Sequence, residues 1–213
     1  KSPNKIELEF MIITIFFHRN KIAIFILSII LYFRPMIDIL LEIDYHILLF
    51  INQTCSNFIF DFIMPLFDNV KNWIPFILIL WGYLIYTDRK NRLQLIILIP
   101  LVILIGDQIG KFIKHIEIRD RPWFALGDIV NHLGGNGGKH FSFPSNHAVN
   151  TASISLVFST IYKEYANYFW FYLFIIMFSR IYIGVHYPID VIVGAIIGFL
   201  VGKICIKLVK KIT

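Results

Sequence analysis

The chain has almost no cysteine. Cys55 and Cys205 are the only two among 213 residues, and the topology read below puts them on opposite sides of a membrane. That excludes a disulfide framework and leaves nothing from which a thiolate metal cluster could be built. Charge is scarce as well, at 16% of residues, while 57% are hydrophobic. Long uncharged runs recur, and the mean hydropathy is +0.70. A soluble helical protein of this composition would need its helices buried on every side. One small domain cannot do that for five or six of them. The sequence therefore reads as a multi-span membrane protein. The N-terminal apolar stretch 10–17 is short and has no small-residue cleavage site, so no signal peptide is expected there.

Acidic residues are outnumbered, 14 against 20 lysines and arginines, for a net charge of +6. In a soluble chain that excess would point to nucleic acid. In a membrane protein the positive-inside rule accounts for it, and no nucleic-acid partner is expected.

The expected fold is all-α, a six-span transmembrane helix bundle with short amphipathic interfacial helices, in one domain over 1–213. The spans fall at about 22–41, 73–86, 93–112, 146–162, 169–183 and 188–208. Arg34, Pro35 and Asp38 interrupt the first near its end, where Arg34 and Asp38 can pair. Residues 1–20 are read as an N-terminal arm lying in the interface. Threading His18, Arg19 and Lys21 through a bilayer centre would cost roughly 2.5–3.5 kcal/mol per charge. Between the first two spans, apolar residues at helical spacing (Ile47, Leu48, Phe50, Ile51; Phe58, Ile59, Phe62, Ile63, Leu66) predict two amphipathic helices on the outer face. The stretch 114–143, with Gly134, Gly135, Gly137 and Gly138, reads as a flexible extramembrane loop without a P-loop pattern. Twelve of the twenty cations, including Arg89-Lys90-Asn91-Arg92 and the lysine-rich tail, fall on one side and eight on the other. The first side is thus cytoplasmic and holds both termini.

Three outward-facing segments carry polar residues that bilayer anchoring does not require. One is Lys114, six residues, then Arg121-Pro122. The next is Pro144-Ser145-Asn146-His147. The last is Ser179-Arg180, five residues, His186, three residues, Asp190. Each adjoins a span end, and an antiparallel bundle gathers those ends on one face. Lys114, Arg121 and Arg180 suit the tetrahedral oxygens of a phosphate. Ser145 reads as an N-cap, so the free N–H groups of Asn146 and His147 would face an anion. Pro188 suits the first turn of the sixth helix, leaving His186 just before it and Asp190 within hydrogen-bonding reach. A carboxylate on one imidazole nitrogen leaves the other free to attack, and His147 can protonate a leaving oxygen. The remaining histidines, His18, His46, His115, His132 and His140, read as surface residues, and Lys111 and Arg119 as ordinary snorkelling or loop cations. A metal site is the chemical rival. It would need more carboxylates or histidines than the two histidines and one aspartate here, and the three cations would repel it.

With these residues the sequence resembles the type 2 phosphatidic acid phosphatase superfamily of integral membrane lipid phosphatases. The three segments match that family's three-part signature in residue type, order and internal spacing. The resemblance implies a mechanism without metal or other cofactor. In it Lys114, Arg121, Arg180, Ser145 and nearby backbone N–H groups, including that of Asn146, bind the phosphate. His186 becomes phosphohistidine, Asp190 orients it, and His147 protonates the leaving group. One departure is Asn146, where the family usually has glycine. Bacterial relatives act on phosphatidylglycerophosphate, undecaprenyl pyrophosphate or the 1-phosphate of lipid A, and the general look favours the last. The partner implied is a membrane lipid phosphate in the bilayer, with no obligate protein partner. The location implied is the bacterial inner membrane, with the active site on the periplasmic face. Two other readings stay open: a lipid-to-lipid phosphotransferase of the same fold, and a non-enzymatic lipid-binding or lipid-moving protein.

Overall fold

The computed structural model describes residues 21–116, 119–135 and 138–210, with the backbone alone given for 21–24, 26–27 and 29–31. The expected interfacial arm, 1–20, lies outside the described residues, as do Asn136 and Gly137 of the glycine-rich loop. The described residues are helical, with no strand among them.

Two compact units divide the chain at Ile43 and Asp44. The described part of the first is the N-terminal stretch of helix α1 (Lys21–Leu49). Arg34 and Asp38 pair there across one turn, at 4.0 Å and well exposed. Pro35 sits within the helix without ending it. Tyr32, Phe33, Met36, Ile37 and Leu40 are all exposed, an apolar surface suited to lipid.

The second unit begins with the end of α1 and a π turn at Phe50–Thr54. It continues through α2 (Phe58–Ile63) and a 3-10 turn at Met64–Phe67. The two amphipathic helices expected over 42–71 thus resolve differently. The first is the last turns of α1, and only the second is separate. The helical periodicity of Ile47 and Leu48 was a continuation, because Pro35 does not stop the helix. After a 3-10 turn at Val70–Asn72 come α3 (Ile74–Thr87) and α4 (Arg92–Ile116). Short α5 (Pro122–Ala125) and a 3-10 turn at Gly127–Ile129 lead to α6 (Asn146–Ile161), α7 (Ala166–Tyr182) and α8 (Pro188–Val209). Among the described residues two helices, α4 and α8, are long and apolar enough to cross a membrane. A third span results if Tyr32–Thr54 and Phe58–Phe67, bent by 101° at their break, count as one.

Helix α6 is the hub, packed against α8, α7 and α4. Leu98 and Val102 of α4, Val157 of α6, and Val201, Cys205 and Val209 of α8 form one buried cluster between these helices. A glycine stripe on α8 makes the closest approach possible. A Cβ on Gly198 would stand 2.1 Å from the Val149 carbonyl oxygen, and one on Gly194 would stand 2.7 Å from that of Ser145. Backbone meets backbone here, as in small-residue contacts between membrane helices. The stripe therefore fixes the start of α6 against the start of α8. Cys55 and Cys205 are both free.

Candidate active site

The three polar segments converge. A cavity of about 360 Å³ is lined by Arg121, His147, Arg180 and His186, together with Asp68, Asn69, Lys71 and Gly135. Arg121 lies at the start of α5, where its backbone N–H donates to the Lys139 carbonyl at 2.9 Å. Arg180, on the last turn of α7, is 1% exposed. His186 follows in the tight turn to α8, and its N–H donates to the Arg180 carbonyl at 3.3 Å. Tyr187 and Asp190 cap α8 reciprocally, the Tyr187 N–H donating to Asp190 Oδ2 at 2.9 Å.

Four expected site residues stand behind the cavity. Lys114, near the end of α4, donates from Nζ to the Phe141 carbonyl at 2.7 Å. Asp190 is fully buried beside His186. The direct hydrogen bond expected between them is replaced by a longer contact, 3.6 Å from His186 Nδ1 to Asp190 Oδ2. The reason is competition. Ser142 Oγ donates to the same oxygen at 2.6 Å and lies 3.4 Å from His186 Nδ1. Ser145 occupies the N-cap position of α6, but its side chain makes no capping bond. Its N–H donates instead to the Asp190 carbonyl at 3.0 Å, and Oγ is buried without a hydrogen-bond partner among the described residues. Arg121 Nε and Arg180 Nε are in the same condition. Asn146 turns its side chain onto α4, where Nδ2 is 3.4 Å from Asp107 Oδ1. Asn150, one turn on, donates to the same oxygen at 2.9 Å. The family's usual glycine is thus replaced at α6, and the space comes from Gly110, where a Cβ would stand 2.5 Å from Asn146 Oδ1.

Sequence reasoning missed three contributors. Asp68 pairs with Arg180 Nη1 at 2.6 Å and accepts from the Gly135 N–H at 2.8 Å. Its carbonyl lies 3.1 Å from His147 Nε2. Arg119, read as a loop cation, instead bridges Asp190 Oδ1 and Asp44 Oδ2, at 2.6 Å each. Ser142 completes the set. The signal for Arg119 was its place two residues before Arg121-Pro122. Asp68 and Asp44 gave no local signal, because their partners are far away in the chain.

Burial pushes the His186 imidazole down to about 4, against the pull of Asp190, and Arg121 and Lys114 reinforce the fall. The ring is therefore neutral at pH 7 and has a free lone pair. Burial also lowers Arg121, which stays charged because guanidinium starts so high. For Arg119 burial acts downward, but Asp190 and Asp44 outweigh it and raise the group. Among the described residues no three His, Cys, Asp or Glu side chains gather as metal ligands would.

Comparisons with known proteins bear on the family. The PAP2 superfamily profile matches residues 95–213, which include all three segments. A lipid A 4'-phosphatase of Bacteroides thetaiotaomicron is 31% identical over 172 residues, covering 74% of this chain and 72% of that protein. A lipid A 4'-phosphatase of Porphyromonas gingivalis is 28% identical over 161 residues, covering 73% and 68%. Among solved structures, Aquifex aeolicus LpxE superposes with a TM-score of 0.64 at 27% identity, covering 76% of this chain and 94% of that one. A transmembrane PAP2 type phosphatidylglycerolphosphate phosphatase from Bacillus subtilis gives a TM-score of 0.60 at 21% identity, covering 97% and 94%, a likeness of fold. The leaning toward the 1-phosphate of lipid A is not supported, since the two lipid A phosphatases among the relatives are named for the 4'-phosphate. The chain belongs to the PAP2 superfamily and is one of its membrane lipid phosphatases.

Proposed function

We propose that this protein hydrolyses a phosphate ester of a membrane lipid through a phosphohistidine, without a metal ion. The observation that carries the reading is the cavity lined by His147, His186, Arg121 and Arg180. With it go the buried Arg121 Nε, Arg180 Nε and Ser145 Oγ that lack partners among the described residues. A tetrahedral anion offers the acceptors those donors need. His186 Nε2 attacks phosphorus, forming the P–N bond as the bond to the lipid oxygen breaks. His147 gives its proton to that oxygen. Water, giving a proton back to His147, then attacks phosphorus, the P–N bond breaks and phosphate leaves. Asp190 steadies the imidazole, and Lys114, Arg121, Arg180, Ser145 and the Asn146 N–H hold the charge that develops on the oxygens.

The favoured substrate is the 4'-phosphate of a lipid A-type disaccharide, on the names of the two lipid A phosphatases among the relatives. The arrangement in the bilayer is read as six spans, with α3, α6 and α7 crossing beside α4 and α8 and the α1–α2 bend forming the remaining one. The termini are cytoplasmic and the cavity is periplasmic, as the charge distribution favours. The test is a phosphate-release panel in detergent and excess chelator. It uses lipid A bearing only a 4'-phosphate, lipid A bearing only a 1-phosphate, phosphatidylglycerophosphate and undecaprenyl pyrophosphate. Release from the first, with an acid-labile, base-stable phosphoenzyme trapped on quenching, is the expected result. Release from none of the four sinks the reading.

Two further outcomes follow. The low His186 pKa places the acid limb of kcat/KM well below an ordinary histidine. After correction for the substrate's second ionisation near pH 6, the loss of rate caused by protonating His186 should lie well below pH 6.5. A midpoint at 6.5 would contradict a buried neutral nucleophile. Asp68 sets a negative charge against Arg180, where the phosphate must also bind. Asp68→Asn should strengthen inhibition by inorganic phosphate roughly tenfold. Weaker inhibition would mean that Asp68 matters chiefly for aiming Arg180.

A further inference from the structure

A second group of paired charges lies outside the cavity. The carboxylates of Asp44 and Asp190 are fully buried, and the guanidinium of Arg119 joins them by one short bond to each. Two buried like charges this close need a cation between them. Arg119 Cζ also stands over the Tyr187 ring, 3.9 Å from its centroid, a cation–π contact that adds a further hold on the guanidinium. Asp44 does more than balance charge. Its Oδ1 accepts the Ile189 N–H at 2.7 Å, one of the unpaired donors at the start of α8. The backbone of Arg119 takes part too. Its carbonyl accepts the Ser142 N–H at 2.8 Å, and Ser142 is the residue whose hydroxyl holds the other oxygen of Asp190.

We infer that Arg119 is a positioning residue for the reaction: anchored on Asp44, it clamps the Asp190 carboxylate from one side while Ser142 holds it from the other, and so sets both the place of the His186 ring and the share of Asp190's charge that reaches it. The inference rests on His186 being the nucleophile. Both ends of the Arg119 guanidinium are taken by buried carboxylates at 2.6 Å, so it acts through Asp190 and not on phosphate. The charged groups facing His186 are Asp190, Arg121 and Lys114. Those facing Arg119 are Asp44 and Asp190, with the Tyr187 phenol beside them. With Arg119 neutralised, Asp190 presents its full charge to His186, and the imidazole holds a proton more tightly.

The experiment compares wild type with Arg119→Lys and with the double variant Arg119→Met, Asp44→Asn, which removes both members of the outer pair. It measures kcat, KM and the pH profile of kcat/KM on a phosphate-releasing lipid, with thermal melting in detergent to establish folding. The double variant should lose roughly 10–100-fold in kcat, with KM within about threefold of wild type. Its acid limb should move upward by roughly one pH unit. Arg119→Lys should keep the limb in place and recover part of kcat, because it restores the charge but not the fork. A folded double variant with an unmoved limb overturns the inference, and so does a rise in KM at unchanged kcat, which would make Arg119 a phosphate ligand. Should the double variant not fold, Arg119→Lys decides alone: reduced kcat at near-normal KM supports the clamp, and wild-type kcat overturns it. Failure of wild type to release phosphate would instead count against the catalytic reading, so the two are told apart.

Discussion

His186→Ala should abolish lipid phosphate release, lowering kcat by at least about a thousandfold while the protein still folds and binds its lipid. The arginines that line the cavity, Arg121 and Arg180, are untouched by the change. Asp190 keeps the Ser142 hydroxyl, the Tyr187 N–H and the Arg119 guanidinium, so no carboxylate is stranded. The side chain removed makes only a long contact to Ser142 and the 3.6 Å approach to Asp190. Folding should therefore suffer little beyond a small cavity. The measurements are phosphate release in chelator and the phosphoenzyme trapped on quenching, and both should vanish together. Activity within tenfold of wild type would mean that another group attacks phosphorus. Loss of release with the phosphoenzyme retained would move the covalent intermediate to another residue.

Gly198→Ala should have the second largest effect, on folding before chemistry. The added methyl would stand 2.1 Å from the Val149 carbonyl oxygen and 2.9 Å from the Ala152 Cβ. Neither neighbour can yield by rotating a side chain, because one is backbone and the other has no rotamer. Helix α6 must move off α8. With it would go Ser145 and His147, set at the start of α6, away from His186 and Asp190 at the start of α8. A destabilisation at the upper end of overpacking, about 3 kcal/mol, is expected. Gly82→Ala in α3 is the internal control, since a methyl there meets nothing within 4 Å. Melting in detergent should drop sharply for the first and little for the second. Equal melting of Gly198→Ala and wild type would mean that the two helices are not packed this closely.

Helix bounds were largely legible in the sequence because lipid-facing helices announce themselves by composition. The expected stretch 146–162 is the helix Asn146–Ile161, and 188–208 is Pro188–Val209. The end of α1 was misread, because proline and two charges usually close a helix. Here Arg34 and Asp38 pair along its surface and the helix continues to Leu49. The parts of the site that fall within a motif were visible as residue types at fixed spacing. What holds those residues was not. Asp44, Asp68 and Ser142 are ordinary in their local context, and only the fold gives each its cation or hydroxyl partner. Arg119 shows a related limit, since its place two residues before Arg121 pointed toward the site but not to the two buried carboxylates it joins. The His186–Asp190 spacing likewise implied contact but not competition, and Ser142 takes the oxygen that the imidazole was expected to share.

The asparagine at the second motif has an evolutionary consequence. Asn146 in its present rotamer uses the space left by the missing side chain at 110, and Asp107 then receives its amide. The two positions are therefore coupled across different helices. Glycine at 146 would leave room for a methyl at 110, whereas alanine at 110 would force the asparagine amide away from its present place. A search that scores the motif residue by residue would mark this chain as degenerate at 146. A search that scores 110 and 146 jointly would recognise an intact helix start with its substitution already accommodated.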